Sequence, residues 1–273
     1  MSKPPHGPLR DARTDRDTAA QLPGTDQTRS PSYRLAFGDE AFLCRDDLRP
    51  VRLQLELLKC ELLLKEQGIE RTIVMFGGAR IKPPKAGESP ASNDMSRFYE
   101  EARAFARAMT QHALACNNRD YVVVTGGGPG VMEAGNRGAH EAGGISIGLG
   151  IVLPHESEPN PYVTPELAFN FHYFAIRKMH FLMRARAICV FPGGFGTLDE
   201  LFETLTLIQT GRMQPVPVLL FGRAFWEGVI NWQSLVDAGT IRACDLDLVR
   251  FVENADEAVE AIMNKPGPSA EGF

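Results

Sequence analysis

Two periodicities alternate along most of this 273-residue chain. Short runs that are apolar nearly throughout occupy residues 72–76, 121–125, 145–150, 167–171, 187–191 and 216–221. Their length and their Val, Ile, Leu and Phe content read as strands. Between them, apolar positions recur every three or four residues over 92–114, 130–142, 174–185, 197–210, 224–237 and 255–264, which reads as helix. A strand without a polar face needs cover on both sides, and strands that alternate with helices build a parallel sheet. The predicted fold over residues 69–264 is therefore α/β: a Rossmann-like, doubly wound, mainly parallel sheet with helices on both faces. In such a sheet a ligand sits at the carboxyl ends of the strands.

The ends of the chain follow other patterns. Leu53, Leu55, Leu57, Leu58, Leu62 and Leu63 are spaced as one face of a helix within residues 46–67. Residues 33–68 form an expected N-terminal helical extension that covers the main domain or meets another subunit. Residues 1–32 are rich in Pro, Gly, Asp, Arg and Thr and hold no aromatic residue. They are expected to be disordered, because they bury too little to offset the entropy of ordering. Residues 265–273 read as a tail.

The net charge is −5 and the hydrophobic share 44%. The first argues against a general nucleic-acid binder, and the second suffices for a sizeable core. Cys44, Cys60, Cys116, Cys189 and Cys244 form no CxxC pair, which suits a reducing compartment. The six histidines form no HExxH, so no metal is expected. No apolar run has the length of a membrane span, and the N-terminus lacks the apolar segment of a signal peptide. A cytoplasmic location with no membrane partner is the expectation.

Two glycine loops carry the candidate chemistry. The first is Thr125-Gly126-Gly127-Gly128-Pro129-Gly130-Val131-Met132-Glu133, between a strand and a helix. Glycines let the backbone turn and approach a ligand, and a helix start offers free N–H groups to an anion. The loop fits the dinucleotide fingerprint poorly. Gly126, Gly128 and Val131 fill its three glycine places, and the third fails. That disfavours an NAD-dependent dehydrogenase. The second loop, Phe191-Pro192-Gly193-Gly194-Phe195-Gly196-Thr197-Leu198-Asp199-Glu200, has the same setting. Either loop alone is also a plain strand-to-helix turn; two in one parallel sheet can face one phosphate. Thr197 and Glu200 also match a capping box, and spacing alone favours that structural role. The capping and catalytic roles compete for the Glu200 carboxylate.

Pro192-Gly193-Gly194-Phe195-Gly196-Thr197 with Glu200 resembles the PGGxGTxxE signature of the LOG (Lonely Guy) family. Arg177-Lys178-Met179 is similar to the Arg-Lys pair that precedes it there, and the first loop resembles the family's GGGxxGxM phosphate loop. The likeness covers residues 70–222. It implies a cytokinin riboside 5′-monophosphate phosphoribohydrolase, or a related AMP or general nucleotide nucleosidase, that needs no cofactor. Older labels call this family lysine decarboxylases, but no lysine here is placed to hold pyridoxal phosphate. Carried over by match, Arg177 and Glu200 are the catalytic pair. Gly193, Gly194, Gly196 and Thr197 cradle the 5′-phosphate, helped by Gly127, Gly128 and Gly130. Met132 and Lys178 lie beside the nucleoside 5′-monophosphate. The resemblance also implies a homo-oligomer, at least a dimer. The segment 153–162 and the run Arg184-Ala185-Arg186-Ala187 depart from the short plant-like form and place the chain nearer a longer bacterial branch.

These residue types suit the implied reaction. Breaking a ribosyl C–N bond builds positive charge at C1′ and the ring oxygen, which a carboxylate stabilises, as in glycosidases. A guanidinium holds phosphate or hydroxyl pairs in a fork; its alternative role is a surface salt bridge. Arg80, His155, Glu156, His172 and Tyr173 are weaker candidates, each readily structural. A nucleotide-sensing module without turnover is the rival reading.

Overall fold

The computed structural model describes residues 11–85, 94–115, 120–154 and 158–264. It has two units, Met1–Glu56 and Leu57–Phe273. The described part of the first contains α1 (Ala12–Ala20), α2 (Asp26–Arg29), α3 (Glu40–Leu43) and the first turns of α4 (Arg49–Glu66). These short helices rest on caps. Asp11 accepts the Arg13 N–H, Thr25 and Thr28 cap each other, and Asp39 accepts the Phe42 N–H. Within the span 1–32, where disorder is expected, the described residues include α1 and α2, and α1, α2 and α3 bury none of their described residues. Local hydrogen bonding, not burial, organises them; residues 1–10 lie outside the described residues. Within α4, Cys60 and Leu64 are buried while Leu55, Leu58 and Leu62 are exposed.

The second unit alternates strand and helix. Its order is β1 (Thr72–Phe76), α5 (Arg97–Ala115), β2 (Val122–Thr125), α6 (Val131–Glu141), β3 (Ser146–Ile151), β4 (Ala168–Phe171), α7 (Phe174–Leu182), β5 (Ala185–Val190) and α8 (Phe195–Gln209). Then follow β6 (Val218–Phe221), α9 (Arg223–Val229), α10 (Trp232–Asp237), β7 (Arg250–Val252) and α11 (Ala255–Met263). The seven strands form one sheet in the order β4-β3-β2-β1-β5-β6-β7, every pair parallel.

Alternate strand residues face opposite sides. Ile73, Met75, Val123, Cys189, Leu219 and Phe221 join Phe105, Met109, Val131, Ala134 and Ala258 of α5, α6 and α11 in one apolar core. On the other face Phe76 meets Phe181 of α7, ring centroids 5.0 Å apart. This double cover explains why the central strands carry no polar stripe. β7 escapes the sequence pattern: it has three residues, and Arg250 on it is exposed. Among the described residues no helix is long and apolar enough to cross a membrane.

Chain order reverses at β1. β2, β3 and β4 extend the sheet one way from it, and β5, β6 and β7 the other. The carboxyl ends of β1 and β5 thus flank the switch point where such sheets open a crevice. Gly77-Gly78 leaves β1 there and Pro192-Gly193-Gly194 leaves β5.

Candidate active site

Three loops meet at this switch point, with Gly78 between the other two. Its N–H donates to Pro192 O at 2.9 Å, and its carbonyl accepts the Val131 N–H at 3.3 Å. The approach is too close for side chains. A Cβ on Gly77 would lie 2.6 Å from Val131 Cγ1, and one on Gly193 would overlap Thr197 Oγ1 and come 3.0 Å from Gly78 N. Gly127 and Gly130 have φ of +74° and +70°, a region that favours glycine. The two expected glycine loops are therefore one backbone assembly.

Their glycines divide by exposure. Gly127, Gly128 and Gly130 are buried, whereas Gly194 and Gly196 are exposed. A Cβ on Gly194 or Gly196 would meet nothing within 4 Å among the described residues. The exposed glycines lie at the start of α8. Helix α8 begins at Phe195 with Gly194 as N-cap, and α6 begins at Val131 with Gly130 as N-cap. Neither cap makes a side-chain hydrogen bond among the described residues. The first intrahelical bond of α8 runs from Leu198 N to Gly194 O. The N–H groups of Phe195, Gly196 and Thr197 precede it and, with the helix dipole, suit an anion.

This overturns the capping role that spacing favoured for Thr197 and Glu200. The helix starts three residues earlier than that pattern requires, so Thr197 is its third residue and Glu200 its sixth. Glu200 is 7% exposed, and its Oε2 is buried without a hydrogen-bond partner among the described residues. Burial pushes its carboxyl up to about 7, against the pull of the Arg177 and Lys178 charges and with the push of Glu203 and Asp199. A buried acid raised this way beside an arginine is a candidate functional group.

Arg177, on α7, is held from two sides. Its Nε donates to Leu149 O at 2.9 Å, and its guanidinium lies 5.3 Å from the Phe181 ring centroid. Its Nη2 would stand 3.1 Å from a Cβ on Gly126, and the Met132 sulfur 2.8 Å from the same point. The structure thus brings Arg177, Met132 and Gly126 together at the first loop, and Arg177 acts electrostatically on Glu200. Gly126 stands outside the expected site residues; its place as first glycine of the loop is the sequence signal for it. Lys178 pairs with Asp199 at 2.7 Å and Glu203 at 3.2 Å, tying α7 to α8 on either side of Glu200 in sequence. Arg80 and His172 are exposed, Tyr173 is half-buried against the His172 ring, and His155 and Glu156 lie outside the described residues.

The raised carboxyl has a consequence for stability. The folded protein keeps a proton that the unfolded chain releases between pH 4.5 and about 7. Folding is therefore favoured by this group below that window, and the contribution is lost as pH rises through it. The thermal midpoint of the wild type is expected to fall more steeply from pH 5 to 8 than that of Glu200→Gln. Parallel curves from the two proteins would remove the buried, protonatable Glu200 from the account.

The chain is similar to known proteins. The sequence model of the family described as "Possible lysine decarboxylase" matches residues 132–262. The chain is 30% identical over 145 residues to a cytokinin riboside 5′-monophosphate phosphoribohydrolase of Mycobacterium marinum, covering 52% of this chain and 77% of that one. It is 27% identical over 221 residues to a bifunctional cytokinin biosynthesis protein of Fusarium pseudograminearum. The match spans 74% of this chain but only 42% of the fungal protein. Among solved structures, the structural-genomics target TM1055 is similar with a TM-score of 0.48 and 24% identity, over 71% of this chain and 99% of that one.

Proposed function

This chain belongs to the LOG family of cytokinin riboside 5′-monophosphate phosphoribohydrolases, and we propose on that premise that it hydrolyses the N-glycosidic bond of nucleoside 5′-monophosphates. The products are a free base and ribose 5-phosphate. The single observation that carries this reading is Glu200: a buried carboxyl, free of capping duty, under the influence of Arg177 and one turn from an uncapped helix start.

The parts divide the work. The N–H groups opening α8, with exposed Gly194 and Gly196, hold the 5′-phosphate. Binding there is remote from the scissile bond and serves to place C1′. The C1′–N bond breaks, its electron pair leaves with the base, and positive charge grows on C1′ and the ring oxygen. The Glu200 carboxylate stabilises that charge and orients water, whose oxygen bonds to C1′ and whose proton is released. Arg177 holds ribose or phosphate and offsets charge on the leaving base.

AMP is the simplest substrate of this class, and a cytokinin riboside monophosphate differs from it at the base. Exposed Phe174, Met179 and Met183 and the 92% exposed Phe195 support a homo-oligomer of at least two copies. The free thiols of Cys44, Cys60, Cys189 and Cys244 support a cytoplasmic setting.

Base release from AMP, isopentenyladenosine monophosphate and adenosine tests the reading. Two or three hydrogen bonds to a charged phosphate, at about 1.5–3 kcal/mol each, predict kcat/KM for AMP about 1000-fold above that for adenosine. Equal rates would remove the phosphate cradle. Tight AMP binding with no base release would make the protein a nucleotide sensor.

A further inference from the structure

Behind the first glycine loop lies a polar network buried in an apolar unit. Thr125 and Asn136 are 0% exposed, Ser146 1% and Asn160 8%. Thr125 Oγ1 donates to Asn136 Oδ1 at 2.7 Å and accepts the Gly127 N–H at 2.9 Å. Asn136 Nδ2 donates to Ser146 Oγ at 3.0 Å. Asn160, from the Pro-rich segment between β3 and β4, closes the network. Its backbone N–H donates to Gly127 O at 2.7 Å. Its Nδ2 lies 3.1 Å from Gly127 O, 3.0 Å from Gly128 O and 2.9 Å from Asn136 Oδ1. Its Oδ1 accepts the Tyr162 N–H at 3.2 Å.

We propose that Asn160 is the positioning residue of the Gly126–Gly130 loop, turning it so that the Gly128 N–H serves the phosphate of the substrate. The argument runs through peptide planarity. The Gly127 carbonyl and the Gly128 N–H belong to one trans peptide and point in opposite directions. Two Asn160 donors hold that carbonyl inward, so the Gly128 N–H is aimed to the opposite side. The next peptide, Gly128–Pro129, has no N–H, so its carbonyl is the one group to satisfy, and Asn160 Nδ2 does so. Without the Asn160 side chain the buried Gly128 carbonyl loses its partner and the Gly127 carbonyl keeps only the residue 160 backbone N–H, so the Gly127–Gly128 peptide is held less firmly in this orientation. Glycine at 127 and 128 offers little resistance to a flip of that peptide.

This inference rests on the phosphate-binding reading above, so its test separates the two. Asn160→Asp keeps the size and the acceptor for Tyr162 but removes the side-chain amide donor; Asn160→Ser removes the reach without adding charge. Ribose 5-phosphate is titrated calorimetrically into wild type and both variants, beside thermal melts, and AMP cleavage is measured. Loss of one hydrogen bond to a charged group predicts ribose 5-phosphate affinity weaker by about tenfold or more. KM for AMP rises by a similar factor, kcat stays within about threefold, and adenosine cleavage is unchanged. Unaltered ribose 5-phosphate affinity in a variant that melts like wild type overturns the proposal. So does a fall in kcat with KM constant, or an equal loss for AMP and adenosine. Should Asn160→Asp not fold, Asn160→Ser decides by the same criteria. Wild type that binds ribose 5-phosphate yet releases no base from AMP fails the enzymatic reading alone, and the binding arm still judges Asn160. Wild type that binds neither compound defeats both.

Discussion

Glu200→Gln is expected to lower kcat for AMP cleavage by about 100- to 1000-fold, the usual cost of one preorganised electrostatic contact. Glutamine has the shape of glutamate but cannot offset positive charge at C1′ or draw a proton from water. The fold should survive, because the Glu200 Oε2 makes no hydrogen bond to lose among the described residues. Stability at pH 8 should instead rise. A carboxyl displaced from 4.5 to about 7 costs the folded state up to about 3 kcal/mol when ionised, and the amide removes that cost. KM should move little, since the phosphate grip lies elsewhere. In wild type, kcat should climb with an inflection near pH 7 as the carboxylate forms. The measurement is base release over pH 5–9 beside thermal melts. A kcat within threefold of wild type at pH 8 would sink Glu200 as the group that meets the developing charge.

Gly130→Ala should instead strike the scaffold. Gly130 has φ +70°, and a Cβ there would overlap Gly78 O and lie 2.7 Å from the Ala79 carbonyl carbon. Those atoms are backbone of the β1 loop and cannot swing aside. Strain of about 1–3 kcal/mol adds to overpacking of about 1–3 kcal/mol. At roughly 2–4 °C per kcal/mol for a unit of this size, the thermal midpoint should drop by about 10 °C. Gly196→Ala makes the contrast. Gly196 is the second residue of α8, exposed, with open space where a Cβ would stand. Alanine suits a helix better than glycine by about 1 kcal/mol, so this variant should melt no lower than wild type. Its methyl group would occupy the phosphate approach, so KM for AMP should rise about tenfold or more, as for one lost charge-assisted hydrogen bond. If Gly130→Ala melts like wild type, the close packing of the loops is wrong. If Gly196→Ala binds AMP normally, the phosphate does not rest on the start of α8.

Some of this was legible residue by residue. β1 occupies residues 72–76 as expected, and β2 through β6 fall within two residues of their apolar runs. Strands buried on both faces must be apolar at every position, and nothing else in the chain mimics that. The glycine loops were likewise visible, because a tight turn at a strand end restricts residue type strongly, whereas Arg177, within a helix, came only from the family resemblance.

What the chain order could not determine was everything made by distant partners. Thr197 and Glu200 have the spacing of a capping box, and only the start of α8 at Phe195 releases the carboxylate. Lys178 follows Arg177 directly, yet only the packing of α7 on α8 directs it to Asp199 and Glu203. Asn160 sits in a Pro-rich connection with no motif of its own, 33 residues from the carbonyl it holds. Periodicity and turn chemistry are local, so the sequence determined by itself the elements and the loops between them. Burial, pKa and hydrogen-bond partnership depend on what the folded sheet brings alongside, and only the tertiary structure decided those.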